Sequence, residues 1–232
     1  DRAGVGHAGT ARSPAEAAKV DVQTVRGVRV GLLDYTYGLN SGSRLPEAPW
    51  AVNFIDPARI LRDARAARQA GAAFVVVQLH WGEQYQVAPT AEQRSLARRL
   101  LASPDVDLIV GGHVHVVQPV ERIGGKYVVY GVGNFLSNQS SRCCPAATQD
   151  GVIVTAHVER TPHGFATSRI TFTPTWVDIP GYRVLPVAAS LDDPATPAAL
   201  RPALRDSWRR TVAAIGQLGP LAGDVRPDRT PR

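Results

Sequence analysis

The sequence predicts an α/β fold in which a βαβ unit is followed by shorter mixed and antiparallel strands. Three observations carry this. Residues 73–79 (Ala-Phe-Val-Val-Val-Gln-Leu) are a near-continuous apolar, β-branched run, the pattern of a strand buried on both faces. Thr90-x-x-Gln93 is a capping box opening a helix whose apolar stripe is Leu96, Ala97, Leu100 and Leu101. Residues 106–110 form a second buried strand, so strand, helix and strand follow within roughly forty residues and the two strands run parallel through a right-handed crossover.

The remaining elements read in order from the same rules. Residues 1–26 have no sustained period and hold Gly4, Gly6, Gly9 and Pro14, which predicts loop with a short helix over 14–19. Residues 28–35 are a strand, and 36–49, with Gly38, Asn40, Gly42 and Pro46, have loop chemistry. Asp56-Pro57 supplies an N-cap carboxylate and a proline at the first helical position; Ile60, Leu61, Ala64 and Ala67 continue at helical spacing until Gly71. Beyond the βαβ unit, strands over 117–123 and 127–130 flank Gly124-Gly125, and strands over 152–160 and 166–177 flank Pro162-His163-Gly164. Pro180, Pro186, Pro194 and Pro197 lead to a terminal helix over 198–217, and 219–232 is expected to be a frayed tail.

Composition excludes several classes. The 232 residues, 44% hydrophobic and 20% charged, suit one α/β core with an appendage, and they rule out a disordered or collagenous chain. No run approaches the ~18 apolar residues of a membrane-spanning helix. The net charge of +6 invites a nucleic-acid reading, but Lys19 and Lys126 are the only lysines, and the arginines are scattered among carboxylates rather than gathered into a stripe. Nucleic acid is therefore not an expected partner; an anionic small molecule or polymer is. With no methionine and Asp1 at its start, the chain is expected to be processed, trimmed or a fragment. Cys143 and Cys144 are adjacent, a spacing that fits neither a C-x-x-C motif nor a staple between distant loops. Two thiols in a Pro-bounded loop and a vicinal disulfide are both open readings.

The chemistry concentrates at two strand ends. His80 follows the first buried strand, and Gly111-Gly-His-Val-His115 follows the second. Ligands of open α/β sheets bind beyond the carboxyl ends of the strands, so His80, His113 and His115 are expected to meet in space. Gly111 and Gly112 would let the chain turn sharply there. A single histidine at a strand end normally hydrogen-bonds the backbone, but half of the six histidines on consecutive strand ends points to a metal such as Zn, Mn, Fe or Ni. His7, His157 and His163 read as surface or turn residues.

Leu79-His-Trp-Gly82, Ala88-Pro89, Gln93, Gly112-His-Val-His115, Gln118-Pro119 and Tyr130-Gly-Val-Gly-Asn-Phe135, with Gly4-Val-Gly-His-Ala-Gly-Thr10 and Asp34-Tyr-Thr-Tyr-Gly-Leu-Asn40, resemble the bacterial capsule-synthesis CapA (poly-γ-glutamate, PgsA-like) family. That family is a branch of the calcineurin-like metallophosphoesterases. The resemblance implies that 1–178 are the C-terminal portion of such a domain, a partial metallophosphoesterase-like four-layer αββα sandwich, with 179–232 as Pro-rich segment, terminal helix and tail. It implies His80, His113 and His115 as ligands of a divalent metal ion, Mn, Zn, Fe or similar. The superfamily's D-x-H, G-D and G-N-H motifs should precede these residues, and they are missing from this chain; Gly133-Asn134 lies after the histidines and is followed by Phe135. Where the family has H-W-G-x-E-Y, this chain has His80-Trp-Gly-Glu-Gln-Tyr85, so Gln84 takes the carboxylate's place and Glu83 offers one a position earlier. Glu83 is a candidate rim residue or a solvated loop charge, and Asn134 is a turn residue or a polar contact at the rim. Trp81 and Tyr85 read as packing residues.

Two functional readings follow from the resemblance. One is a metal-dependent hydrolase-like domain of a cell-envelope protein, on the extracytoplasmic face, acting in synthesis, anchoring or trimming of poly-γ-glutamate or a related anionic capsular polymer, with a phosphoester or that polymer as substrate and capsule synthase membrane proteins as partners. The other is a non-catalytic polymer-binding or assembly module with a degenerate metal site. A half-sandwich is also expected to leave sheet edges and apolar faces exposed, to be covered by an upstream half of the domain or by self-association.

Overall fold

Two successive parallel crossovers build the first sheet. A computed structural model describes residues 6–40, 45–219 and 223–228; Gly4, Gly42 and the ends of the tail lie outside the described residues. In chain order the elements are α1 (Pro14–Ala17), β1 (Asp21–Val25), β2 (Val28–Thr36), α2 (Pro57–Gln69), β3 (Phe74–Trp81), α3 (Ala91–Leu101), β4 (Leu108–His113), β5 (Val120–Ile123), β6 (Lys126–Val129), β7 (Asp150–Thr161), β8 (Gly164–Asp178), β9 (Arg183–Pro186), α4 (Val187–Asp192), α5 (Arg201–Ile215) and β10 (Val225–Pro227). The first sheet has the order β1-β2-β3-β4-β6-β5, with β2, β3, β4 and β6 parallel and the two edge strands antiparallel to their neighbours. The second has β8 paired with β7 along one edge, and with β10 and β9 along the other.

The helices begin where the capping chemistry places them. The Asp56 carboxylate accepts from the N–H groups of Ala58 and Arg59, and Thr90 and Gln93 make the reciprocal capping box of α3. Each cap contributes about 1 kcal/mol. Alternation then sorts the strand residues. Leu33, Tyr35, Val75, Val77, Leu79 and Ile109 pack under Ile60, Ala64, Ala67, Ala97 and Leu100 of α2 and α3. On the opposite face Phe74, Leu108, Tyr127 and Val129 meet Val152, Ile170 and Phe172 of the second sheet and Ala214 and Ile215 of α5. Trp176, Val187 and Leu204 form a third cluster joining β8 to α4 and α5. The result is the expected α/β architecture of two sheets with helices packed against each.

Three expectations need correction. Residues 21–25 are not loop but the edge strand β1, turned into β2 through Arg26 and Gly27, both at positive φ (49° and 82°) as a two-residue hairpin of the primed type requires. The tail is not frayed throughout, because Val225–Pro227 pairs in parallel with Ile170–Phe172, and the Asp224 carboxylate accepts from Tyr127. The apolar face of the first sheet is not left open along its whole length: the second sheet covers the β4–β6 side, while Val28, Val30 and Val76 stay only partly buried. No helix among the described residues is long and apolar enough to cross a membrane.

Asp34 lies on that partly covered face. Burial pushes its carboxyl up to about 6, against the opposing pull of the Tyr35 N–H. A carboxyl raised in the folded state stabilises the fold below its ordinary value near 3.8 and loses that contribution as pH rises through about 6. Because Asp34 is only half-buried, solvent screening reduces the effect to about 1 kcal/mol. Asp34→Asn is therefore expected to be more stable than the parent at about pH 8, with the gap closing by about pH 4, as read from urea midpoints at the two conditions. An unchanged gap across that range would remove Asp34 from the account.

Candidate functional site

The carboxyl ends of β3 and β4 bring the three histidines together. His80 and Gly112 are register partners, as are Trp81 and His113, so neighbouring parallel strands deliver the imidazoles side by side. His113 Nδ1 lies 3.1 Å from His80 Nε2, with ring centroids 4.6 Å apart, and the His113 and His115 centroids are 6.4 Å apart. Neither Gly111 nor Gly112 adopts the left-handed region; the turn is made instead by His113 at φ 97° and His115 at φ 62°. The reason for glycine at 111 is space, since a Cβ there would stand 1.9 Å from the Tyr130 carbonyl oxygen and 2.3 Å from Trp81 Nε1.

A frame of buried polar contacts holds these turns. The Tyr85 N–H donates to the Val114 carbonyl at 2.7 Å, clamping the 82–87 turn onto the histidine turn. Gln93, 2% exposed, accepts from the Thr90 N–H and donates to Gln118, which donates in turn to the Gln86 carbonyl. The N-terminus of α3 is thereby wired to both turns. Gly82, at φ 88°, lets the chain pass Gln93, where a Cβ would stand 2.7 Å from its amide. Trp81 is a packing residue, 3% exposed, donating to the Tyr130 carbonyl at 2.9 Å.

Asn134 reaches His115. The Gly133–Gly151 bridge brings two backbones within a distance that no side chain would permit, and Asn134 Nδ2 donates to the Thr148 carbonyl at 2.9 Å. That acceptor fixes the amide, so Oδ1 faces His115 Nδ1 at 2.9 Å. An amide oxygen only accepts, so His115 carries its proton on Nδ1 and leaves the Nε2 lone pair free. Metal-ligating histidines are oriented in this manner. Glu83 is exposed and lines a neighbouring cavity with Tyr37, Trp81, Thr90, Glu92 and Gln93, a lining that includes none of the three histidines.

Two aromatic residues belong to the site. Tyr37, bonded through its N–H to the His80 carbonyl at 3.0 Å, stacks on His80 and tilts 4.5 Å over His113. Tyr85 stacks on His115 at 6.1 Å. Only the pairing of β2 with β3 brings Tyr37 to His80; Tyr85 has a weaker signal in its place five residues after His80. Partial burial first, and then the neighbouring imidazole of His115, lowers the pKa of His80; burial, then His80 and His115, lower that of His113. Both are held toward the neutral form that binds metals.

Two nitrogen ligands at about 2.0–2.1 Å from one ion lie roughly 2.9–3.4 Å apart, so the His80–His113 separation fits a shared ion. His115 stands one ring further out, and among the described residues no group of three His, Cys, Asp or Glu side chains is already closed around a common point.

Residues 1–139 match the family described as bacterial capsule synthesis protein PGA_cap, a span that includes all three histidines and Asn134. The PGA biosynthesis protein CapA of Bacillus subtilis (strain 168) is 30% identical over 189 residues, 82% of this chain and 46% of that protein. The capsule biosynthesis protein CapA of Bacillus anthracis is 31% identical over 140 residues, 59% of this chain and 33% of that protein. The chain thus spans less than half the length of either relative. Among solved structures, the calcineurin-like phosphoesterase YfkN from Bacillus subtilis aligns over 84% of this chain and 57% of that chain, with a TM-score of 0.43 and 13% identity.

Proposed function

Because the chain belongs to the bacterial capsule synthesis protein PGA_cap family, we propose that its histidine cluster is the metal-holding part of a hydrolase-like domain that acts on an anionic capsular polymer or a phosphoester at the cell envelope. The observation that carries this reading is the convergence of His80 and His113 at 3.1 Å beside a His115 whose tautomer is set by Asn134. His80 Nε2, His113 Nδ1 and His115 Nε2 are the nitrogens that would hold a divalent ion. The chemistry such an ion supplies is Lewis acidity toward a phosphoryl or acyl oxygen. Asn134 keeps the His115 lone pair outward, Tyr37 and Tyr85 restrict how far the rings tilt, and the net charge of +6 favours approach of a polyanion. Placement at the envelope is supported by the relatives, one named a PGA biosynthesis protein and the other a capsule biosynthesis protein.

The test is metal content per chain, by plasma mass spectrometry on untagged protein purified without chelator. Near-stoichiometric metal is expected in the parent and less than a tenth of it in His80→Ala and His113→Ala, a loss equivalent to at least ~1.4 kcal/mol of binding. His115→Ala is expected to lower affinity in the same direction. Metal unchanged in all three variants, or a folded parent without metal, would overturn the assignment. One observation favours the second reading, a binding or assembly module: among the described residues no group of three or more His, Cys, Asp or Glu side chains is arranged to hold a metal. Metal-loaded protein that binds poly-γ-glutamate yet leaves it and model phosphoesters uncleaved would select that reading.

A further inference from the structure

Cys143 and Cys144 lie next to Tyr85, the ring that stacks on His115, and have no part in the reading above. Both are free thiols, Cys143 exposed and Cys144 partly so. Their N–H groups both donate to the Ser140 carbonyl, at 3.0 and 2.9 Å, which folds 140–144 into a tight turn, and the Cys143 thiol donates to the same carbonyl at 3.5 Å. The Tyr85 hydroxyl donates to Cys144 Sγ at 4.0 Å, and Gln139 Nε2 approaches the same hydroxyl at 3.5 Å. The Tyr85 ring lies against His115, and Gln139 Oε1 accepts from the Asn134 amide that orients His115. Cys144 is therefore linked to His115 through Tyr85 alone, and by a longer path through Tyr85, Gln139 and Asn134.

We propose that Cys143 and Cys144 are a reversible thiol–disulfide exchange site whose state is transmitted through Tyr85 to His115. The reaction partner is a small disulfide or the active disulfide of an exchange protein. The Cys143 thiolate attacks one sulfur of that disulfide, forming a mixed disulfide and releasing one thiol. The Cys144 thiolate then attacks the Cys143 sulfur and expels the second. Two protein thiols and one external disulfide become one protein disulfide and two external thiols, and two electrons pass from the protein to the partner. The order of attack follows the local chemistry: the hydrogen bond between the two thiols, with the Ser140 turn, lowers the pKa of Cys143, whereas the same contact raises that of Cys144.

Adjacent Cα atoms are about 3.8 Å apart across a trans peptide, short of the ~4.4–6.8 Å that an unstrained disulfide spans. The closed ring is consequently strained and easily reduced, a property of labile rather than structural disulfides. Closing it draws Cys144 Sγ toward Cys143 and away from the Tyr85 hydroxyl, so Tyr85 loses its anchor and shifts against His115.

The test uses the metal-free chain, so its outcome is independent of the metal reading. Fully reduced protein is incubated with oxidised glutathione, and intact mass, thiol count and the His115 imidazole NMR signals are followed. The parent is expected to lose two hydrogens and both thiols, to retain no glutathione and to form no disulfide-linked dimer, while Cys143→Ser and Cys144→Ser each retain one glutathionyl group. The His115 signals are expected to shift on oxidation and return with dithiothreitol, and in Tyr85→Phe, which keeps the ring but not the hydroxyl, that shift should be lost. Glutathione retained by the parent, disulfide-linked dimers or persistent thiols would overturn the exchange site. Ring closure that leaves the His115 signals in place would overturn the coupling.

Discussion

Gly111→Ala is expected to destabilise the protein by about 3 kcal/mol or more and to disorganise the histidine site, whereas Gly112→Ala, one residue on, should cost no more than about 0.5 kcal/mol. A Cβ at 111 would stand 1.9 Å from the Tyr130 carbonyl oxygen, 2.7 Å from its carbon and 2.3 Å from Trp81 Nε1. Neither neighbour can yield cheaply. The Tyr130 oxygen is held by the Trp81 indole, Tyr130 itself is fully buried, and the Gly111 carbonyl accepts from Val132. Relief would require β4 to move away from the 130–132 segment, which carries the approach to Asn134. At Gly112 a Cβ meets nothing within 4 Å. Urea midpoints of the two variants, with the His113 and His115 NMR signals, check the pair. Equal midpoints would mean that β4 and the 130–132 segment are not in the close contact described.

Asp150→Ala is expected to cost about 3 kcal/mol, most of it recovered in the double variant Asp150→Ala/Arg210→Ala. The Asp150 side chain is 3% exposed and accepts from Nε and Nη2 of Arg210, at 2.7 and 2.9 Å, across the contact between β7 and α5. Burial pushes this carboxyl up even with Arg210 in place, while the carboxylate pulls Arg210 up as well. The two directions agree once burial is taken as the larger influence on the nearly inaccessible acid and attraction as the larger on the more open base. Removing the acid strands a part-buried cation, and removing both relieves it. The backbone of Asp150 also accepts from the Asn134 N–H at 3.2 Å, so the single variant should disturb the His115 signals more than the double one does. A double variant no more stable than the single would show that Arg210 finds solvent freely and that the pair contributes little.

The central part of this molecule is legible in its sequence because its signals are local. The β-branched run of β3, the Thr90–Gln93 capping box and the strand before Gly111 each specify their element within a few residues, and parallel pairing then obliges His80 and His113 to meet. The elements that escape are those whose identity is set at a distance. Val225–Pro227 is too short to declare itself, and it becomes a strand because Ile170–Phe172 offers an unpaired edge. Asp21–Val25 carries a modest alternation that gains meaning only from the Arg26-Gly27 turn. Within the site, Glu83 and Gln84 could not be ranked from composition, because Gly82 at φ 88° and Tyr85 at φ 67° decide where that turn points. The tautomer of His115 required sight of the Thr148 carbonyl that orients Asn134.

His113 and His115 hold backbone conformations that glycine enters freely and a residue with a Cβ enters at a cost of roughly 1–3 kcal/mol each. At these two positions the backbone by itself favours glycine, and the imidazoles recover part of that cost through the Asn134 hydrogen bond and the ring contacts with Tyr37, His80 and Tyr85. The cluster is in this sense mounted on a stretch of backbone that would sit more easily without it.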